Sequence, residues 1–175
     1  MKVVKGALIV FIGLFIFLTL ISLLIPSRIV TTRATTVQAN SLKLYNEIAN
    51  LKNWKHWHPV FMQDSAKMIF IESSTSINDF VEWSSNNKKN RILITEVTFP
   101  YIKLLLQRDG ENDMENILTL QEVQEQGNLQ VQWTSITKLK WYPWEKFSGI
   151  FIEKMSGQGY EAALASLKLY VESHQ

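Results

Sequence analysis

An α+β domain behind a single membrane-crossing helix is the fold class this sequence predicts. Three observations predict it. The strongest apolar run, Gly6 to Ile25, carries no charge. From Lys67 to Ser135 the hydrophobic pattern has a period of two, the mark of strands. Near the C-terminus Tyr160, Leu164, Leu167 and Val171 fall at i, i+4, i+7 and i+11, the mark of a helix. Strands segregated from helices in this order give one sheet with a helix packed on one face.

Composition excludes several function classes. A chain of 175 residues holds one domain plus an anchoring segment. With no cysteine it has no disulfide framework, no Cys-based zinc site and no Cys nucleophile. A hydrophobic fraction of 46% with six Trp argues against disorder. Lys2 and Lys5 account for the whole net charge of +2, so the body beyond Pro26 is neutral. A neutral body gives no support for nucleic-acid binding, which needs a basic patch. Lys88-Lys89 beside Arg91, and Lys138 with Lys140, read as solvated loop or strand ends.

The elements follow in order. Gly6–Ile25 as a helix is about 30 Å long, the thickness of a bilayer core. Its apolar residues occur on every side, as lipid requires. The run ends Leu-Leu-Ile-Pro-Ser-Arg without an A-x-A-like site, so an uncleaved anchor is expected rather than a signal peptide. Lys2, Lys5 and the amino terminus are set against Arg28 and Arg33, which favours an N-in arrangement. The body would then lie outside the cytoplasm, in the periplasm of a Gram-negative cell. Residues 1–27 are the expected anchor and 28–175 the expected soluble domain. The membrane is the expected partner through Gly6–Ile25.

Ile29–Gln38 is rich in β-branched residues and reads as a strand. Asn40 can cap the next helix, whose stripe is Leu44, Ile48 and Leu51, widened by Leu42 and Tyr45. Leu51–His58 reads as a second short helix or turn, limited by Pro59. Strands are expected at Lys67–Ile71, Asp79–Ser84, Arg91–Phe99, Tyr101–Arg108, Asn116–Glu125 and Leu129–Ser135. Asn86–Asn90 and Asp109–Glu115 read as loops, and Gln126-Gly127-Asn128 as a tight hairpin connection. After Pro143 a helix carries Phe147, Phe151 and Met155 at spacings of four, with Gly157 and Gly159 expected to kink or interrupt it.

Three stretches carry a family resemblance. One is the opening strand ending Thr35-Thr36-Val37-Gln38-Ala39-Asn40, followed directly by a helix. Another is Ile48-Ala49-Asn50-Leu51-Lys52-Asn53-Trp54-Lys55-His56-Trp57-His58-Pro59. It resembles an I-x-D-L-x-x-W-x-x-W-x-P pattern, with Asn50 replacing the acid and His58 where Asn is frequent. The last is Gly159 to Lys168, similar to a terminal G-x-x-x-x-x-L-x-x-L-K. Together they resemble the START-like (SRPBCC) superfamily in its polyketide-cyclase-like branch, over residues 29–173. The resemblance implies a helix-grip fold: a curved antiparallel sheet of about seven strands around a long C-terminal helix, preceded here by one transmembrane helix. It also implies an apolar cavity for a lipid, sterol, polyketide or similar hydrophobic molecule. The family has no universal catalytic motif, so no catalytic residue carries over.

Candidate chemistry is sparse. His56 and His58, beside Glu47 and Asp64, suggest a metal test, but on a helical turn they diverge by about 200°. His174 is near the chain end and there is no H-E-x-x-H, so neither metal nor cofactor is expected. A G-x-S-x-G elbow is absent, and Gly157-x-Gly159 lacks the third glycine of a dinucleotide loop. On the strand around Glu96 two faces compete. Either Leu93, Val97 and Phe99 point inward and Glu96 is solvated, or Ile92, Ile94 and Glu96 point inward and Glu96 is a cavity carboxylate with a raised pKa.

The aromatics are the richest feature, with Trp54 expected in the core. Expected ligand contacts are Trp57, Phe61, Ile94, Trp133, Phe151, Met155, Tyr160 and Leu164. Trp141-Tyr142-Pro143-Trp144 has the composition of a membrane-interface loop. Three functions stay open. A membrane-tethered module binding a hydrophobic molecule leads. A cyclase- or hydrolase-like enzyme would need a polar group in the cavity, from Glu96, His58 or Tyr160. A non-catalytic scaffold would fill the cavity with its own side chains.

Overall fold

The computed structural model describes residues 2–64, 67–73, 76–85, 87–123 and 128–174. An N-terminal helix α1 (Lys2–Ser22) is followed by β1 (Arg28–Gln38) and α2 (Ser41–Ala49). A 3-10 turn (Leu51–His56) leads into α3 (Pro59–Asp64). Then come β2 (Ile69–Ile71), β3 (Phe80–Ser85), β4 (Lys88–Thr98), β5 (Tyr101–Arg108), β6 (Met114–Glu122) and β7 (Asn128–Lys138). The chain closes with α4 (Pro143–Ser173). All seven strands form one antiparallel sheet in the order β1-β7-β6-β5-β4-β3-β2. The first strand therefore returns to pair with the last, Arg28 opposite Lys138 and Gln38 opposite Asn128. The helix-grip fold expected from the resemblance is the fold observed.

Local chemistry sets the helix starts. The Asn40 side chain accepts from the amides of Leu42 (3.0 Å) and Lys43 (3.1 Å), two donors the first turn of α2 cannot satisfy itself. Asn50 repeats the device for the 3-10 turn, accepting from the Lys52 amide at 2.9 Å. Pro59 does not simply end a helix. It opens α3, because its missing N–H is an orphan at a first helical position anyway. Leu44 and Ile48 are buried, but Leu42, expected to widen that stripe, is exposed.

The strands correct several boundaries. β4 starts at Lys88, so of the expected loop Asn86–Asn90 the last three residues are strand, and Asn86 lies outside the described residues. β2 spans only Ile69–Ile71. β6 starts at Met114, two residues before the expected start, and β7 runs on to Lys138. Gln126 and Gly127 of the expected hairpin connection lie outside the described residues. In β4 the register shifts between Ile94 and Glu96, a bulge at Thr95. Before the bulge Asn90, Ile92 and Ile94 face the core and Leu93 does not; after it Val97 packs against the core and Phe99 is exposed. Beyond it Glu96 turns outward. An extra residue in one strand re-aims every side chain after it.

Helix α4 is continuous through Gly157 and Gly159, contrary to the expected interruption. Gly149 has a packing reason. A Cβ there would sit 2.8 Å from the Ile29 side chain and closer still to Leu139. Ala163, Leu164, Leu167 and Val171 on the C-terminal half are buried in one cluster with Leu44, Ile48, Trp54, Trp57 and Phe61.

Candidate ligand cavity

A cavity of about 670 Å³ lies between the sheet and the N-terminal half of α4. The sheet supplies Trp83, Ile92, Leu104, Leu106, Met114 and Trp133, all buried. These positions alternate along their strands, so the pleat itself delivers an apolar wall. Trp54 and His58 close one end, and α4 adds Ser148, Ser156, Gly159, Tyr160 and Ala162. Lining residues that reach solvent, among them Val60, Arg108, Glu111, Lys140, Ser148 and Gly159, mark an opening along the flank of α4.

The wall's polar groups mostly bond to the protein. Trp133 Nε1 donates to Asn116 Oδ1 at 3.0 Å, and Asn116 Nδ2 donates to the Met114 carbonyl at 3.1 Å. Tyr160 donates its hydroxyl to Ser135 Oγ at 3.0 Å while its ring lies 4.9 Å from Trp133. Burial pushes the Tyr160 hydroxyl above its ordinary pKa, so it stays a neutral donor. Trp54 Nε1 donates to the Ile48 carbonyl, away from the void.

His58 is the exception. Its ring stacks on Trp54 at 5.2 Å with 13° between planes, and Trp57, Phe61 and Trp133 lie within 5.9 Å. Its Nδ1 is buried and has no hydrogen-bond partner. Burial among aromatics pushes the imidazole down to about 4, so it is neutral at pH 7.

Charged groups cluster at the rim. Arg108 pairs with Glu111 at 3.4 Å, and Lys88 reaches the same carboxylate at 3.6 Å. Asn112 donates to Glu145, tying the β5–β6 loop to the first turn of α4.

The expected contacts separate into groups. Trp133 and Tyr160 stand on the cavity wall. Trp57, Phe61, Ile94 and Leu164 are fully buried in the core behind it and do not line it. Phe151 is 66% exposed and points away, because Ser148, Ser156 and Gly159 occupy the inward face of that half of α4. The Met155 side chain lies outside what is described. Residues missed at the sequence level include Trp83, Ile92, Leu104, Leu106 and Met114. The period-two pattern marked their faces but not which stretch of wall stays uncovered.

The acid–base candidates part company. Glu96 sits on the outer face, bonded to Lys103 (2.5 Å) and to the Tyr101 hydroxyl (2.5 Å). The Lys103 bond, seconded by Tyr101, holds its carboxyl below the usual range, the opposite of a cavity carboxylate. His56 stacks on Tyr170 at 5.4 Å and faces Glu47 at 3.6 Å, well apart from the environment of His58. Among the described residues no three His, Asp or Glu side chains gather as a metal site.

No family model and no curated protein matches the chain. Solved structures do. A START superfamily protein from Mycobacterium smegmatis aligns with TM-score 0.63 at 13% identity, over 83% of this chain and 99% of that one. CalU16 from Micromonospora echinospora aligns with TM-score 0.58 at 12% identity, over 85% and 84%. DynU16, from the dynemicin biosynthetic locus, aligns with TM-score 0.59 at 10% identity, over 83% of this chain and 48% of that one. The domain has the START-like helix-grip fold, and its cavity lies between sheet and C-terminal helix.

Proposed function

We propose that this protein is a membrane-tethered START-like module that binds a hydrophobic or lipid-like molecule in the cavity beneath α4. The observation that carries the reading is the void itself: about 670 Å³ whose sheet side is mostly apolar, with Asn116, Trp133 and Tyr160 bonded to the protein. Such a lining suits a ligand held mainly by apolar burial. Trp133 and Tyr160 are its proposed aromatic contacts.

Tethering rests on α1. Val3–Ser22 is long and apolar enough to span a bilayer, with mean hydropathy 2.6 and its most apolar stretch of 18 residues unburied in the protein. The tether is short and pinned. Lys146, buried in the first turns of α4, donates to the Ile25 carbonyl at 2.9 Å and to Ser27 Oγ. Exposed Trp141 and Trp144 lie on the segment that enters α4, beside this attachment, as an interfacial pair would. Lys2 and Lys5 ahead of the helix, with the amino terminus, support a body outside the cytoplasm.

Native and denaturing mass spectra of the full chain, released from detergent micelles, test the binding. A hydrophobic adduct lost on denaturation is expected; a bare chain from freshly isolated membranes would contradict the reading. Because the chain lacks cysteine, a single Cys placed at exposed Asp109 reports topology. An impermeant thiol reagent should label it on intact cells, and protection until lysis would reverse the orientation. Of its three candidate groups the cyclase-like alternative retains two in the cavity lining, His58 and Tyr160. Chemical conversion of the bound molecule over time would favour it.

A further inference from the structure

Among the described residues three buried side-chain polar atoms have no hydrogen-bond partner: Glu47 Oε2, His58 Nδ1 and Arg91 Nε. Of these residues only His58 lines the cavity. Glu47 has an ion-pair neighbour in His56, and Arg91 has one in Glu82. Among the described residues the rings of Trp54, Trp57, Phe61 and Trp133 pack around His58, whose ring also meets its own backbone.

Leaving a buried polar group unpaired is unfavourable, and an aromatic cluster would pack at least as well around phenylalanine. Elsewhere on the inner wall Asn116, Trp133 and Tyr160 bond to the protein, and Thr137 adds a buried hydroxyl. Nδ1 itself is covered by the protein, so a bound molecule in the cavity would meet the ring through Nε2, which is not among the fully buried atoms. A neutral imidazole offers one donor and one acceptor. It suits a hydroxyl or carbonyl and gives a cationic headgroup nothing to pair with.

We infer that His58 is the polar recognition group of the cavity, hydrogen-bonding the hydroxyl or carbonyl of an amphiphile that enters head first and leaves its apolar body against the sheet. This rests on the hydrophobic-ligand reading and narrows it: a pure hydrocarbon should bind less well than its alcohol. The rim, with Arg108, Glu111 and Lys140, then meets the tail end and solvent rather than the headgroup.

The test uses matched probes, 1-hexadecanol and hexadecane. The full chain in detergent micelles is equilibrated with both, recovered on affinity resin, and its retained probes are quantified against empty micelles. The wild type should favour the alcohol by about tenfold over the micelle background. His58→Phe should lose that preference while still retaining hexadecane, which also reports that its cavity is intact. His58→Gln, which keeps a donor and an acceptor, should recover part of it. Equal alcohol preference in wild type and His58→Phe would overturn the role of His58 and leave the hydrophobic cavity standing. Retention of neither probe by the wild type would overturn both. Should His58→Phe fail to fold, ring ¹⁵N shifts of His58 in the wild type decide. They should move with the alcohol and not with the alkane, and identical spectra would refute the contact.

Discussion

From Ala163 to Val171, helix α4 buries Ala163, Leu164, Leu167 and Val171 in the same cluster as Leu44, Ile48 and Trp54. From Glu145 to Gly159, the same helix presents Glu145, Ser148, Ser156 and Gly159 to a cavity, while the sheet opposite is mostly apolar. One half closes apolar on apolar. The other, among the described residues, sets Ser148, Ser156 and Gly159 against a mostly apolar wall and leaves a gap between them. The wall of such a void forgoes dispersion contacts that a ligand can supply. The difference between core and binding site is thus a change of side-chain size along a single helix.

The comparison can be broken most severely where the two halves meet. Trp54 joins the packed cluster to the cavity end, and Trp54→Ala should lower stability by about 3–5 kcal/mol, read by denaturant unfolding. A loss under about 1 kcal/mol would mean that the cluster is loosely packed. The pH dependence comes next. His58 is pushed down to about 4 in the folded chain, against about 6.5 unfolded. Its contribution is complete above pH 6.5 and is lost as the pH falls toward 4, for a decline of about 3 kcal/mol. His58→Phe should flatten that slope; an unchanged slope would place the titration elsewhere.

Two glycines sharpen the contrast. At Gly149 a side chain meets Leu139 and Ile29, so Gly149→Leu should destabilise by about 1–2 kcal/mol after its gain in helix propensity. At Gly159, on the cavity side, a Cβ meets nothing within 4 Å. There Gly159→Leu should stabilise by about 0.5–1 kcal/mol, since removing a helical glycine is favourable where space allows. Thermal unfolding of the pair should move in opposite directions. Shifts of the same sign would dissolve the distinction between the two halves.

Much of this architecture was legible from residue patterns. Tyr101–Arg108 coincides with β5, and the stripe Leu164, Leu167, Val171 marks the packed half of α4. Both depend on periodicity, which local sequence carries. The bulge at Thr95 was not legible, because nothing in Leu93–Val97 signals that one extra residue will re-aim Glu96. The open half of α4 was misread for a related reason. Phe147, Phe151 and Met155 form the more apolar stripe, yet Phe151 faces outward and Ser148 and Ser156 face in. Hydrophobic patterning finds a core-facing stripe; it does not find a face that adjoins a void or one that a membrane surface would cover. His58 was visible as a residue type, but its isolation among four rings is a tertiary fact.

The central claim is that the void beside α4 is a ligand site, and uptake of 1-hexadecanol by the wild type and by Gly159→Leu tests it most directly. Near-stoichiometric uptake by the wild type, with a large reduction in a variant at least as stable, is the expected result. Equal uptake by both would place the hydrophobic site somewhere other than this cavity.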